Sequence, residues 1–509
     1  MQKERLFISL AAGAVMALVA CSPAPVPETS APAAEAAPTK AFAPAEQKEA
    51  QPSTPANVPA SYKDIAFPEF RYVAPVPAEY RVQLSDSVSG YIVSDRSLPL
   101  VSLTVYFEES NLPATLKDEA ASEMVGSMFR RGGGGGISAH ALDDSLEFVS
   151  AAISTSAGTF RAAFDIDCLS KDFPAMLELS KKVISAPAFD KEQLEIMKAN
   201  YATAYERRYD TPAKVLSALK AKVNYAPNPR LWDANDKEYR KVSVADVKRL
   251  AEGVFSSKRI VFALSGDVDR DSAVTQLKEF FDAWKVMPAK AKKPAPEPLA
   301  FLRKPGTYVV DKDITQANIS MSQPFVRRPH PDYYPTAVAS FILGGGSFTS
   351  RLVNRVRSDE GLAYSVYSTA GNDYRDTAMT TIALQTKVES ADFAIKLIFE
   401  EVEKLAKEGP TPEELEQAKK AIVESLPSLF DSPEATALIF AQDELLGKKQ
   451  SHYVDFVNEV NAVTAEQVKA MTAKYFDKSK MTISVVGPVA KLEKLGPFTV
   501  IPLDSLDFR

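Results

Sequence analysis

A long stretch of this chain occurs twice. Val242-Ser-Val-Ala-Asp-Val-Lys248, followed by Phe255 and Gly266-Asp-Val268, recurs as Val463-Thr-Ala-Glu-Gln-Val-Lys469, Phe476 and Gly487-Pro-Val489, at one constant separation. The same separation carries Leu194 onto Leu415, Lys198 onto Lys419 and Asp210-Thr-Pro212 onto Asp431-Ser-Pro433. Ser154-Thr-Ser-Ala-Gly158 and Tyr367-Ser-Thr-Ala-Gly371 form a further echo at a slightly different spacing. A duplicated block obliges two halves to fold alike. Each half reads as strands, a helix, strands, two long helices, then a strand ending in glycine and another helix. Runs of strands followed by runs of helices predict an α+β fold of two homologous lobes, each an antiparallel sheet packed with helices. Two such lobes on a linker leave a cleft between them.

Composition places the boundaries. Hydrophobic residues make up 45% of 509, enough for large cores. Residues 22–65 are rich in Ala, Pro, Glu and Thr, which bury too little surface to fold, so they read as a tether. Partly extended, such a segment holds a globular body on the order of 100 Å from its anchor. The first lobe is expected over 66–285 and the second over 301–509. Between them, the Pro- and Lys-rich run Met287 to Pro298 marks a linker over 286–300. A net charge of −6 and a pI near 5.5 leave no electrostatic footprint for nucleic acid.

The amino terminus carries Lys3 and Arg5 and then an apolar run from Leu6 to Ala20, too short for a comfortable membrane span. It reads as an export signal over 1–21. Its end, Leu18-Val19-Ala20-Cys21, resembles the lipobox of bacterial lipoproteins. The resemblance implies a lipidated Cys21 and a periplasmic, membrane-anchored protein; Ser22 in place of Asp implies the outer membrane. The alternative is a soluble secreted protein whose Cys21 falls near the cleavage site. With Cys21 lipidated, Cys168 is the remaining thiol and no intramolecular disulfide forms. Its place in the alternating run Phe164 to Leu169 predicts an apolar filler on a strand.

The second half holds the stretch richest in chemistry, Ile342 to Tyr367. It reads as an apolar helix end, a glycine turn at Gly344, Gly345 and Gly346, a second helix with Leu352, Val353 and Val356 inward, a stop at Gly361, and a strand. Arg357 falls in the last helical turn. Tyr364 converges on it only if Gly361 folds the strand back along the helix. A guanidinium and a phenol both donate hydrogen bonds, and together they suit a carbonyl oxygen that gains negative charge. The bland alternative is an Arg that only complements a helix dipole and a Tyr that only packs. The run Gly344-Gly345-Gly346, Ser350-Arg351-Leu352, Arg357 and Gly361-Leu362-Ala363-Tyr364 resembles the second half of the insulinase/pitrilysin family of zinc peptidases. In that family the Arg and Tyr at this spacing bind the substrate carbonyl beside the catalytic zinc, and the lobes face each other like a clamshell. The resemblance therefore implies substrate-binding roles for Arg357, Tyr364 and the three glycines.

The zinc half of that family's machinery is missing. Active members carry His-x-x-Glu-His on a helix, where residues four apart share a face and bring two imidazoles to one metal. Here the corresponding helix is 118–132, and with Phe129 as anchor the ligand and base positions are Ser122, Val125 and Gly126. None of these side chains ligates zinc or moves a proton. The downstream ligand position falls near Thr203 or Ala204, with Glu206 the nearest carboxylate. His140, His330 and His452 are the histidines of the chain and form no cluster in sequence. A catalytic zinc needs about three protein ligands, so no intrinsic metal is expected. Glu123 reads as an exposed helical residue, and the five glycines Gly132 to Gly136 as a mobile loop that lacks a phosphate-binding Lys.

The resemblance implies a non-catalytic, substrate-binding subunit of a two-chain zinc peptidase. Arg357 and Tyr364 would serve peptide substrates whose zinc is held by a paralogous partner. Two alternatives stay open at this point: a peptide-binding or scaffolding lipoprotein with no proteolytic role, and an independent zinc peptidase with unconventional ligands.

Overall fold

The computed structural model describes residues 61, 64–65, 72–108, 111–256, 259–284 and 296–509. Cys21, nearly all of the tether and most of the linker lie outside these residues. The chain divides into two units, 1–71 and 72–509. Of the first, only a turn is described, in which the Asp64 amide donates to the Ser61 carbonyl at 2.9 Å.

The second unit contains two six-stranded sheets packed with helices, the α+β fold expected. The first sheet is built from β1 (Arg81–Ser85), β2 (Val88–Ser94), β3 (Leu100–Glu108), β4 (Ala152–Ala157), β5 (Arg161–Leu169) and β6 (Ile260–Gly266), in the order β1-β2-β6-β3-β5-β4. The second is built from β7 (Gly306–Asp311), β8 (Gln316–Pro324), β9 (Ala363–Ala370), β10 (Met379–Lys387), β11 (Thr482–Gly487) and β12 (Thr499–Val500), in the order β12-β7-β11-β8-β10-β9. Five strands correspond one to one. The pairing β2/β6 is parallel, as is β7/β11, and the remaining pairs of the shared five are antiparallel.

The register corresponds as well. Across the first sheet Phe262, Val105, Phe164 and Thr155 lie in one row. Across the second, Ile483, Met321, Ile382 and Ser368 do the same. Thr155 and Ser368 are also the residues that the Ser154/Tyr367 echo aligns. A register slip of one residue would turn each apolar set to the wrong face, so burial on both sheets preserves the duplicated pattern. The sixth strands differ: β1 precedes its sheet and runs antiparallel to β2, whereas β12 returns from the far end of the chain and runs parallel to β7.

One face of each sheet is covered by helices of its own half. On the first, helix α1 (Leu116–Arg131) sets Ala120, Ala121, Met124, Val125, Met128 and Phe129 against Leu103, Val105, Phe107 and Phe164. The opposite faces are covered by exchange. Helix α3 (Pro212–Asn224) belongs to the first half, yet its Val215, Leu219 and Val223 pack on Val310 of β7 and Val486 of β11. Helix α4 (Pro433–Leu445) belongs to the second half, and its Ala437, Phe440 and Ala441 pack on Tyr91, Tyr106, Val261 and Ala263 of the first sheet. These are the two helices opened by the duplicated Asp-Thr-Pro and Asp-Ser-Pro. Thr211 and Ser432 cap them through the Lys214 and Ala435 amides at 3.4 and 3.1 Å.

Polar contacts fasten the exchange. Glu444 on α4 accepts from Arg81 at 2.9 and 3.0 Å, Ser89 at 2.6 Å and Tyr91 at 2.8 Å. Asp507 accepts from Arg208 at 3.1 Å, Tyr209 at 2.6 Å and Tyr205 at 2.7 Å, the last residue lying on α2 (Lys191–Glu206). Burial alone would raise the Asp507 carboxyl, but these donors hold it below the usual carboxylate range.

Candidate functional site

The Ile342 to Tyr367 stretch folds around a close approach. The helix Tyr333–Ser340 continues as a widened π turn, Phe341–Gly345, where the sequence predicted a glycine turn. The reason is packing. A Cβ on Gly344 would stand 2.5 Å from the Ser368 backbone nitrogen, so the helix lies directly on β9 only with glycine there. A Cβ on Gly346 would meet the Phe341 ring at 2.9 Å. After a short 3-10 turn at Ser347–Thr349, the chain forms a second wide-turned helical segment, Val353–Asp359. Leu352, Val353 and Val356 are buried, as their spacing predicts. Arg351 is tied into the fold by Glu414, to which Nε and Nη2 each donate at 2.7 Å. That bond raises the guanidinium above its ordinary value.

Gly361 ends the segment at φ +61°, with nothing within 4 Å of where a Cβ would be. Its amide donates to the Arg357 carbonyl at 3.1 Å and the Leu362 amide to Val356 at 3.0 Å, which reverses the chain into β9. This reversal brings the two singled-out side chains together: the Arg357 guanidinium carbon lies 5.2 Å from the Tyr364 ring centre. A third side chain joins them. Phe348 lies under the same guanidinium at 4.7 Å. The sequence reading missed Phe348; the signal was an aromatic residue set among small polar ones just after the glycine run. Tyr364 is 80% exposed and Phe348 63%. Among the described residues no carboxylate pairs with Arg357, and its guanidinium lies at cation–π distance from both rings. The site borders β9, the terminal strand of its sheet.

The positions that the resemblance assigns to the zinc machinery are structurally filled. Val125 is fully buried in the first core, and the Ser122 hydroxyl donates to the Glu119 carbonyl at 2.9 Å. Gly126 presses on β4: a Cβ there would stand 2.2 Å from the Ala157 nitrogen and 2.6 Å from the Ser156 carbonyl carbon. An imidazole at 126 has no room, so these residues do not fit a zinc ion. Thr203, Ala204 and Glu206 are exposed, and Glu206 faces Arg240 at 3.8 Å. Among the described residues no group of three or more His, Cys, Asp or Glu side chains could hold a metal. His140 is exposed against Asp144 at 2.9 Å, and His330 accepts from the Asp332 amide at 3.1 Å. His452 is packed between Tyr374 and Tyr453, and burial pushes its ring down to about 3.

Two expectations nearby are corrected. Glu123 is not an exposed helical residue; it is half-buried and accepts from the Tyr239 hydroxyl. The glycine run is an ordered knot. Gly134 and Ile137 exchange backbone hydrogen bonds at 3.0 Å, Gly135 donates to Ala186 at 2.8 Å, and a Cβ on Gly133 or Gly134 would come within 2.6 Å of a carbonyl oxygen. Glycine serves close packing there.

Comparison with known proteins agrees with this picture. Residues 241–422 match the family model described as the peptidase M16 inactive domain. An uncharacterized zinc protease of Bacillus subtilis is 26% identical over 302 residues, 59% of this chain and 72% of that protein. A Helicobacter pylori protein named as a non-peptidase homolog is 25% identical over 311 residues, 60% of this chain and 70% of its own. The crystal structure of a peptidase M16 inactive domain from Pseudomonas fluorescens superposes with a TM-score of 0.68 at 24% identity, covering 80% of this chain and 97% of that one. Residues 241–422 thus resemble the peptidase M16 inactive domain, the relatives matched are both M16-like in sequence, and the two packed six-stranded sheets share the fold of the Pseudomonas fluorescens structure.

Proposed function

We propose that this protein is the substrate-binding, non-catalytic subunit of a two-chain zinc peptidase, acting in the periplasm and tethered to the outer membrane through Cys21. One observation carries the reading: the Arg357 guanidinium carbon lies 4.7 and 5.2 Å from the Phe348 and Tyr364 ring centres with no acidic partner among the described residues, and Tyr364 is on the terminal strand β9. A guanidinium that lies beside two rings and has no carboxylate partner among the described residues is a donor available to an external acceptor. Beside an edge strand, that acceptor is a peptide carbonyl. Arg357 and the Tyr364 hydroxyl would stabilise the oxyanion that develops when the carbonyl is attacked. The attacking water and its metal would come from a paralogous partner that carries His-x-x-Glu-His, because the positions that could supply them here are Ser122, Val125 and Gly126.

The test is a pull-down of the tagged mature protein from its own envelope extract, with assay of chelator-sensitive peptidase activity. The expected result is a stoichiometric zinc-motif relative in an active eluate. Arg357→Ala should then lower kcat about 10²- to 10³-fold while the two chains still co-elute, the size of losing one oxyanion donor. A chain that elutes alone, without activity, overturns the reading and leaves a peptide-binding lipoprotein. Stoichiometric zinc or peptidase activity in the isolated chain would contradict it from the other side.

A further inference from the structure

Where the two edge hairpins meet, two guanidiniums stand at one aromatic ring with a third over a neighbouring ring, and only part of their charge is answered. Phe160 lies in the turn after β4, Arg375 in the loop after β9, and Arg230 in the 3-10 turn that follows α3. The Arg230 and Arg375 guanidinium carbons stand 4.7 and 4.4 Å from the Phe160 ring centre. Arg161 stands 4.6 Å over the Tyr106 ring.

Two arginines here have carboxylate partners. Arg230 is gripped by Asp376 at 2.9 and 2.5 Å, and Arg259 by Glu108 at 2.8 Å. Two further acids lie near: Asp373 uses Oδ1 to accept from the Arg375 and Asp376 amides at 2.7 and 2.9 Å, and Asp165, which feels the charge of Arg161, accepts from the Thr104 and Ser154 hydroxyls at 2.7 and 2.8 Å. Arg161 and Arg375 have ring contacts and feel nearby acids at longer range, but among the described residues no side-chain or backbone oxygen accepts a hydrogen bond from either guanidinium. Both are half-buried. Burial, and then the neighbouring Arg161 and Arg230, hold the Arg375 guanidinium below its ordinary value.

A fully solvated arginine needs no partner, but one that has lost part of its water and faces like charge does. The planar fork matches a carboxylate bidentately, as Arg230 and Asp376 already show next door. Each of the two guanidiniums lies within cation–π distance of a ring, at 4.6 and 4.4 Å from its centre. Strands β4 and β9, the terminal strands of the two sheets, both run into this cluster at their C-terminal ends. An extended peptide added to either edge would deliver its own anion there.

We propose that Arg161 and Arg375 form a carboxylate-binding site that takes the terminal carboxylate or an acidic side chain of an edge-bound peptide. The inference stands apart from the two-chain reading, since it is tested on this chain alone. Calorimetric titration of the full mature protein with three acetylated octapeptides of alternating Val and Ser decides it: one with a free C-terminal carboxylate, one amidated, and one amidated with a single internal Glu. The free acid or the Glu peptide should bind about tenfold or more tightly than the neutral amide. The first preference assigns the site to a peptide terminus and the second to an acidic side chain. Arg161→Gln and Arg375→Gln should each abolish the preference while circular dichroism stays unchanged. Equal binding of all three peptides, no binding of any, or a preference that survives the double substitution overturns the proposal. The comparison of acid with amide is made on the unmodified chain, so it holds even if a variant fails to fold.

Discussion

Replacing Gly126 by alanine should destabilise this protein by about 2 kcal/mol, although alanine is the better helix former by about 1 kcal/mol. The added Cβ would stand 2.2 Å from the Ala157 nitrogen, 2.6 Å from the Ser156 carbonyl carbon and 2.9 Å from the Ser156 Cα. All three are backbone atoms of β4 or its end, so no side chain can rotate away, and α1 or the strand must move. Overpacking of this kind costs about 1–3 kcal/mol. The absence of any rotameric relief puts it near the upper end, about 3 kcal/mol, from which the helix-propensity gain is subtracted. Denaturant unfolding should show a lower midpoint at an unchanged slope. Gly361→Ala is the matched control: it has open space around it but φ +61°, so it should cost only the left-handed backbone term, about 1–2 kcal/mol. A Gly126→Ala protein as stable as its parent would refute the steric reasoning. The same packing predicts that Ser122→His, Val125→Glu and Gly126→His together will not create a zinc site. Stoichiometric zinc uptake by that variant with native circular dichroism would show that α1 can lift from β4.

Asp507 is held below the usual carboxylate range, so its stabilising contribution is present above the unfolded value near 3.8 and is lost as pH falls through the lower folded value. Asp507→Asn should cost about 3 kcal/mol at neutral pH, by removing the charge paired with Arg208 and one of the two acceptor oxygens, and the difference should shrink only as pH falls below the unfolded value near 3.8 towards the lower folded one; parallel acid-unfolding curves would contradict this. Arg230→Lys should weaken the junction by about 1–3 kcal/mol, because an ammonium cannot reproduce the two-pronged bond to Asp376, and thermal unfolding reads the loss. Burial, with Asp172 and Asp167 nearby, pushes the Cys168 thiol up to about 12. In a Cys21→Ser chain, iodoacetamide at pH 8 should therefore label the unfolded but not the folded protein; rapid labelling of the native state would show that this strand face opens.

Much of this molecule could be read along the chain because its signals are local or repeated. The duplicated block predicted two like lobes, and the strand rows Phe262 to Thr155 and Ile483 to Ser368 show the likeness down to register. Gly361 marked the reversal that lets Arg357 reach Tyr364, since a left-handed turn is a requirement on one residue. Phe348 escaped because its importance lies in what stacks on it. The glycines of 132–136 were misjudged for the same reason: composition shows freedom of the backbone, not the carbonyls that crowd it.

The amino-acid order by itself determined the lobe architecture, side chains at Ser122, Val125 and Gly126 that cannot ligate zinc, and an arginine and a tyrosine at the spacing a reversal can join. Only the tertiary structure decided which sheet each apolar stripe would cover. Val215, Leu219 and Val223 look the same whether their helix lies on its own half or the other, and so do Ala437, Phe440 and Ala441. A stripe encodes that a face must be buried; which partner buries it depends on where the rest of the chain has already placed a complementary face. The exchange of α3 and α4, the clasp at Asp507, and the meeting of Arg161 with Arg375 across two hairpins all follow from that placement, which no local pattern records.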